Sequence, residues 1–172
     1  MTVDSTPDLI DDLAVRVGAA LAARGWTLAT VESCTGGWVA QAVTAISGSS
    51  AWFERGFVTY SNEAKQELVG VLAATLTAHG AVSEETAREM ATGGLARSRS
   101  TISVSITGVA GPTGGTPAKP VGMVCFAWAL RDSAVTSATC HFTGDRRDVR
   151  RRSVERALKG VLDAVEAATH IR

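Results

Sequence analysis

Thr27-Leu28-Ala29-Thr30-Val31-Glu32-Ser33-Cys34-Thr35-Gly36-Gly37-Trp38-Val39-Ala40-Gln41-Ala42-Val43 is the stretch whose reading decides the fold. Residues 27–31 have the length and apolar character of a short buried strand. Small residues and two glycines then break the run, and Trp38 opens a helix. Strand, tight turn and helix in that order begin an α/β alternation.

The same alternation extends in both directions. Upstream, Leu9, Ile10, Leu13, Val17, Ala20 and Leu21 recur at helical spacing, so residues 7–24 form an amphipathic helix that Gly25 ends. Downstream, residues 55–60 alternate as a strand and 62–69 follow as a helix. Ser83 caps a helix over 84–97, with Glu84 and Glu85 in the first turn, where the dipole favours negative charge. Residues 101–107 form a strand leading into a Gly/Pro-rich loop, 108–120. Strands at 121–130 and 134–142 make a hairpin turning at Arg131-Asp132-Ser133, and a helix over 146–167 follows. The fold class is α/β: a three-layer α/β/α sandwich on a mixed, mostly parallel sheet of about five strands. At 172 residues the chain has the length of one domain with a sizeable core, spanning positions 8–165.

Composition narrows the function. Seventeen basic side chains balance seventeen acidic ones, which speaks against nucleic-acid binding through bulk charge. The three cysteines, Cys34, Cys125 and Cys140, have no CxxC spacing, so neither disulfides nor a structural zinc site is expected. Asp4, Asp8, Asp11 and Asp12 interrupt any secretory signal, and no stretch is apolar for long enough to span a bilayer. A cytoplasmic location without membrane contact is the expectation.

One segment concentrates chemistry. Gly48-Ser49-Ser50-Ala51-Trp52-Phe53-Glu54-Arg55-Gly56-Phe57-Val58-Thr59-Tyr60-Ser61-Asn62-Glu63-Ala64-Lys65 holds a Ser pair, the only Tyr and one of three Lys. Ser, Lys and Tyr can serve as nucleophile, general base and proton relay without a metal. Lys65 acts as a base only when desolvation lowers its pKa. A turn, a strand and one helical turn can fold 50, 60 and 65 onto one cleft. The plainer alternative makes them a turn, a strand residue and a solvated helix position.

Three further places merit weighing. The Ser33–Gly37 junction offers free N–H groups at a helix start, a seat for phosphate or carboxylate, though it has neither the Walker nor the GxGxxG spacing. It is equally readable as a tight turn with Thr35 as N-cap. Cys34 reads as a bystander before it reads as a thiol nucleophile, because His79, His141 and His170 are all remote in sequence. Thr107 and Gly108 end a strand at the sheet edge where ligands bind, with 113–119 as a mobile rim. Arg146, Arg147, Arg150, Arg151 and Arg152 crowd a helix start, where their charge opposes the macrodipole. Arg147 is the candidate ligand contact, and Arg150 to Arg152 read as a solvated basic face.

Taken together, Glu32-Ser33-Cys34-Thr35-Gly36-Gly37, Gly48-Ser49-Ser50-xx-Phe53-xx-Gly56-xxx-Tyr60-Ser61-Asn62-xx-Lys65, Gly80-Ala81-Val82-Ser83, Thr107-Gly108-xx-Gly111-Pro112, Lys119-Pro120-Val121-Gly122 and Gly144-Asp145-Arg146 resemble the CinA C-terminal domain family. The chain looks like its single-domain form, without the molybdopterin-binding-like domain of longer members. The resemblance implies hydrolysis of the carboxamide of nicotinamide mononucleotide (NMN) to nicotinate mononucleotide and ammonia, in pyridine nucleotide recycling. It implies catalysis by Ser50, Lys65 and Tyr60, with no cofactor and no metal. Substrate would lie against Ser33, Thr35, Gly36, Gly37, Thr107, Gly108 and Arg147, in a homodimer. Were Ser50 not the nucleophile, Ser33 and Cys34 would be next in line. A non-catalytic nucleotide-binding module, or an amidase for another amide, is the rival reading.

Overall fold

The computed structural model describes residues 8–169. The expected helix residue Pro7, and His170, lie outside the described residues. Five strands form one sheet in the order β2-β1-β3-β4-β5: β1 (Leu28–Glu32), β2 (Phe53–Val58), β3 (Ile102–Gly108), β4 (Met123–Leu130) and β5 (Thr136–His141). β1 pairs in parallel with β2 and β3, whereas β3–β4 and β4–β5 are antiparallel. The sheet is thus mixed, its pairings evenly divided; four of the five strands share a direction, and β4 is the exception.

Helices cover both faces. α1 (Leu9–Ala22), α2 (Trp38–Thr44) and α6 (Arg146–Ala167) pack on one side, while α3 (Asn62–Val69), α4 (Ala73–His79) and α5 (Glu84–Ala96) occupy the other. The first layer buries the larger core, in which Leu13, Val17, Ile106, Phe126 and Leu158 meet. Across the sheet, α5 presents Ala87 and Ala91 to Cys125 and Ala127. Gly94 lets α5 approach closely, since a Cβ there would collide with Ser103 Oγ and Val31. α4 and a short 3₁₀ turn, Ser49–Ala51, are elements that sequence patterning did not indicate.

Local chemistry sets the helix ends. Ser83 Oγ accepts from the Thr86 N–H (3.1 Å), the cap read from sequence. Asp145 and Asp148 form a reciprocal capping box at the start of α6. That pair of carboxylates offsets the unfavourable placement of Arg charges at this terminus. Asp132, at the tip of the β4–β5 hairpin, has φ 61°.

The topology creates one crevice. From β1 the chain crosses via α2 to β2, then returns beneath the sheet through α5 to β3 on the other side of β1. The segments leaving the C-terminal ends of β1 and β2 therefore part to opposite faces, into α2 and α3, the place where open α/β sheets bind ligands.

Candidate active site

Each chemical group arrives by a traceable local route. Ser33 directly follows β1, and its N–H donates to the Ile106 carbonyl of β3 (2.9 Å), pinning it at the sheet's C-terminal edge. Beside it, the Thr59 N–H donates to the Glu32 carbonyl (2.8 Å), extending the β1–β2 ladder past the end of β2. Ser61 then caps α3 by accepting from the Ala64 N–H (3.0 Å). Lys65 lies in the first turn of α3, and helical side chains lean towards the N-terminus. Its amine accordingly reaches back to the chain just before the helix.

There Lys65 Nζ lies 3.0 Å from Ser33 Oγ, 2.9 Å from the Thr59 carbonyl and 3.2 Å from the Tyr60 carbonyl. The residue is 1% exposed, and among the described residues no carboxylate forms an ion pair with it. Burial pushes its pKa below the ordinary lysine value. Two carbonyls fix two of the amine's protons, so the third position faces Ser33 Oγ. In the neutral amine that position is the lone pair, aimed at a hydroxyl proton.

A cavity of about 210 Å³ opens over this pair, bounded by Ser33, Tyr60, Asn62, Thr107, Gly108 and Arg146 among others. Tyr60 is 62% exposed, and Arg146 Nη2 approaches its hydroxyl at 3.4 Å. Arg146 Nη1 also donates to the Gly111 carbonyl (2.8 Å), tying the loop after β3 to α6. A second, larger cavity of about 840 Å³ adjoins the first through Ala110 and Arg146, and Trp38, Arg147 and Arg150 help to line it. With three arginines in its lining it forms a basic chamber beside the small cavity. Among the described residues no cluster of three or more His, Cys, Asp or Glu is placed to hold a metal ion.

Ser50 requires a correction. It sits in the 3₁₀ turn before β2, exposed, beside the N-terminal end of β1, where the Leu28 N–H donates to the Trp52 carbonyl (2.8 Å). Tyr60 and Lys65 follow the other end of β2. A six-residue strand at about 3.3 Å per residue separates the two by roughly 20 Å. The expected convergence of 50, 60 and 65 on one cleft therefore does not occur, nor can N–H groups at Ser49 and Ser50 serve a reaction at Lys65.

The phosphate seat expected at α2 also needs revising. Glu32, buried beneath the turn, accepts from the Val39 N–H (2.8 Å) and the Ala40 N–H (3.0 Å). The helix start is satisfied by the protein's own carboxylate, and Gly37, not Thr35, is the N-cap. Thr35 is fully buried, and among the described residues its hydroxyl has no hydrogen-bond partner. Gly36 and Gly37, at φ 61° and 104°, shape the turn and do not line the small cavity. Cys34 is buried, and burial pushes its thiol up to about 12, which leaves it protonated and unreactive at neutral pH.

Thr107 and Gly108 do border the small cavity, although the Thr107 hydroxyl donates to the Ala81 carbonyl (2.8 Å). The rim is more tied down than its composition suggests. Thr116 and Lys119 bond to each other, and Lys119 Nζ reaches the His79 carbonyl. Arg147 lies in the basic chamber as expected. Arg146 and Asn62 were missed in the sequence, and Arg150 is half-buried and bonded, not a solvated charge. Helical spacing from Arg146 to Arg150 was the available signal, since i and i+4 share a face.

The fold and the site together define an α/β protein with a buried Ser–Lys pair at the sheet's C-terminal edge. The chain belongs to the CinA C-terminal domain family, whose pattern it matches over residues 10–165. It is 57% identical over 148 residues to the nicotinamide-nucleotide amidohydrolase PncC of Escherichia coli K12, spanning 86% of this chain and 89% of that protein. A Pseudomonas putida protein of the same name is 48% identical over 155 residues, spanning 90% and 96%. The crystal structure of the competence/damage inducible protein CihA from Agrobacterium tumefaciens superposes with a TM-score of 0.90 at 43% identity, covering 96% of this chain and 99% of that one.

Proposed function

We propose that this chain hydrolyses the carboxamide of NMN to nicotinate mononucleotide and ammonia, with Ser33 as nucleophile and Lys65 as base. The observation that carries the reading is the 3.0 Å approach of a desolvated lysine, without a carboxylate partner, to a serine hydroxyl in a cleft. The names of the E. coli and P. putida relatives supply the substrate.

The chemistry follows from the geometry. Neutral Lys65 takes the Ser33 proton as Oγ attacks the carboxamide carbon, forming a tetrahedral oxyanion. Backbone donors in the turn after Ser33 stabilise it; among the described residues the Thr35 N–H makes no hydrogen bond. Such a donor typically lowers the barrier by about 3 kcal/mol. The C–N bond breaks as the nitrogen receives a proton from the Lys65 ammonium, and ammonia departs. Tyr60, whose hydroxyl borders the cavity, relays that proton. Water then attacks the acyl–serine ester with Lys65 again as base, releasing nicotinate mononucleotide and restoring Ser33. The basic chamber, with Arg147 in it, takes the phosphate end of the substrate.

The test is ammonia release from NMN by the pure protein, with chelator present and product identified by mass. Stoichiometric ammonia and nicotinate mononucleotide are expected. No release above a heat-killed control overturns the reading and favours a non-catalytic nucleotide-binding module.

A further inference from the structure

Among the described residues Arg150 makes no hydrogen bond to Ser33 or Lys65, yet it grips the turn between the nucleophile and α2. Its Nε donates to the Cys34 carbonyl (3.1 Å) and its Nη2 to the Thr35 carbonyl (3.2 Å). The guanidinium also lies 5.4 Å from the centre of the Trp38 ring, so one planar group spans the turn and the first residue of α2.

Peptide planarity gives this grip a chemical consequence. In a trans peptide the carbonyl and the following N–H point in opposite directions. Turning the Cys34 carbonyl towards α6 sends the Thr35 N–H away from α6, and among the described residues that N–H has no hydrogen-bond partner. Turning the Thr35 carbonyl the same way sends the Gly36 N–H back to the Ser33 carbonyl (3.0 Å). Gly36 and Gly37 both sit in the left-handed region, where glycine allows several peptide orientations at little cost. Glu32 holds the helix side of the turn and Ile106 the strand side. Among the described residues nothing but Arg150 donates to the Cys34 carbonyl.

We propose that Arg150 is a positioning residue: it locks the Cys34–Thr35 peptide so that the turn carrying Ser33 keeps the geometry needed for attack. This rests on the assignment of Ser33 as nucleophile. Arg150 also borders the basic chamber, and an arginine there that bound the substrate phosphate would act on affinity instead.

Arg150→Met and Arg150→Lys separate these roles, with the exposed Arg152→Met as control. For Arg150→Met, kcat for NMN falls roughly 30- to 100-fold while KM stays within about threefold, as expected when reacting groups are misplaced by a fraction of an ångström. Arg150→Lys, which keeps the charge but spans a single carbonyl, falls between it and wild type. The lower limb of the pH profile, set by Lys65, does not move. Added guanidinium recovers part of the lost kcat in Arg150→Met.

Amide exchange supplies a readout independent of turnover. In both variants the Gly36 and Trp38 amides exchange about tenfold faster, while those of β1 are unchanged. A rise in KM at constant kcat, or unaltered exchange at Gly36 and Trp38, overturns the proposal. Should NMN not be a substrate at all, exchange alone decides the clamp. Should Arg150→Met fail to fold, Arg150→Lys carries both measurements.

Discussion

The two ends of β2 look alike in sequence and differ in kind. At its start stands Ser50, in a Gly-Ser-Ser turn, exposed and beside the N-terminal end of β1. At its far end stand Tyr60 and, one helical turn later, Lys65, buried against Ser33. A residue before a parallel strand and one after it lie at opposite edges of the sheet, and the crevice belongs to the second edge. Direction along a strand, not proximity in sequence, decides which serine meets the lysine.

The sharpest break between the two ends is expected from the serines. Ser33→Ala should cost roughly 10⁶-fold in kcat, the scale seen when a serine nucleophile is deleted and binding is retained. Lys65→Met should cost roughly 10³-fold, because Ser33 then has no base. The same lysine sets the pH dependence. Its pKa is lowered by burial, so the neutral, active amine appears at lower pH than for an exposed lysine. kcat/KM should rise with pH and level off below the ordinary lysine value of about 10.4. A rate still climbing at that pH contradicts the assignment of Lys65.

Tyr60→Phe should have a smaller effect, on the order of 10- to 100-fold in kcat, with KM nearly constant. Glu32→Gln tests the anchor beneath Ser33. Each carboxylate oxygen accepts one N–H, whereas the amide keeps a single acceptor and turns its NH2, a donor, towards the other N–H, which should lower unfolding stability by about 1–3 kcal/mol in urea titration. The smallest effect is expected at the other end of the strand: Ser50→Ala should alter turnover by less than about twofold.

Much of the architecture was legible in the chain, because apolar periodicity and capping residues report local structure directly. Ser83, Asn62–Val69 and the hairpin around Asp132 are examples. α4 escaped because its Ala- and Thr-rich run, Ala73–His79, buries no residue and so carries no apolar stripe. Lys65 was legible too, as an isolated lysine among arginines. Its partner was not, since Ser33 and Lys65 are 32 positions apart and meet only because β2 pairs in parallel with β1. A rule available in the sequence would have chosen correctly: Ser33 follows its strand and Ser50 precedes its own. The phosphate seat misled for a different reason. Glu32 reads as the last residue of a strand, and nothing local says that its carboxylate folds under the next helix.

The most direct test measures ammonia release from NMN by Ser33→Ala and Ser50→Ala side by side, both confirmed folded. Near-complete loss is expected in Ser33→Ala and near wild-type turnover in Ser50→Ala; loss in Ser50→Ala with activity kept in Ser33→Ala would overturn the assignment of Ser33 as nucleophile.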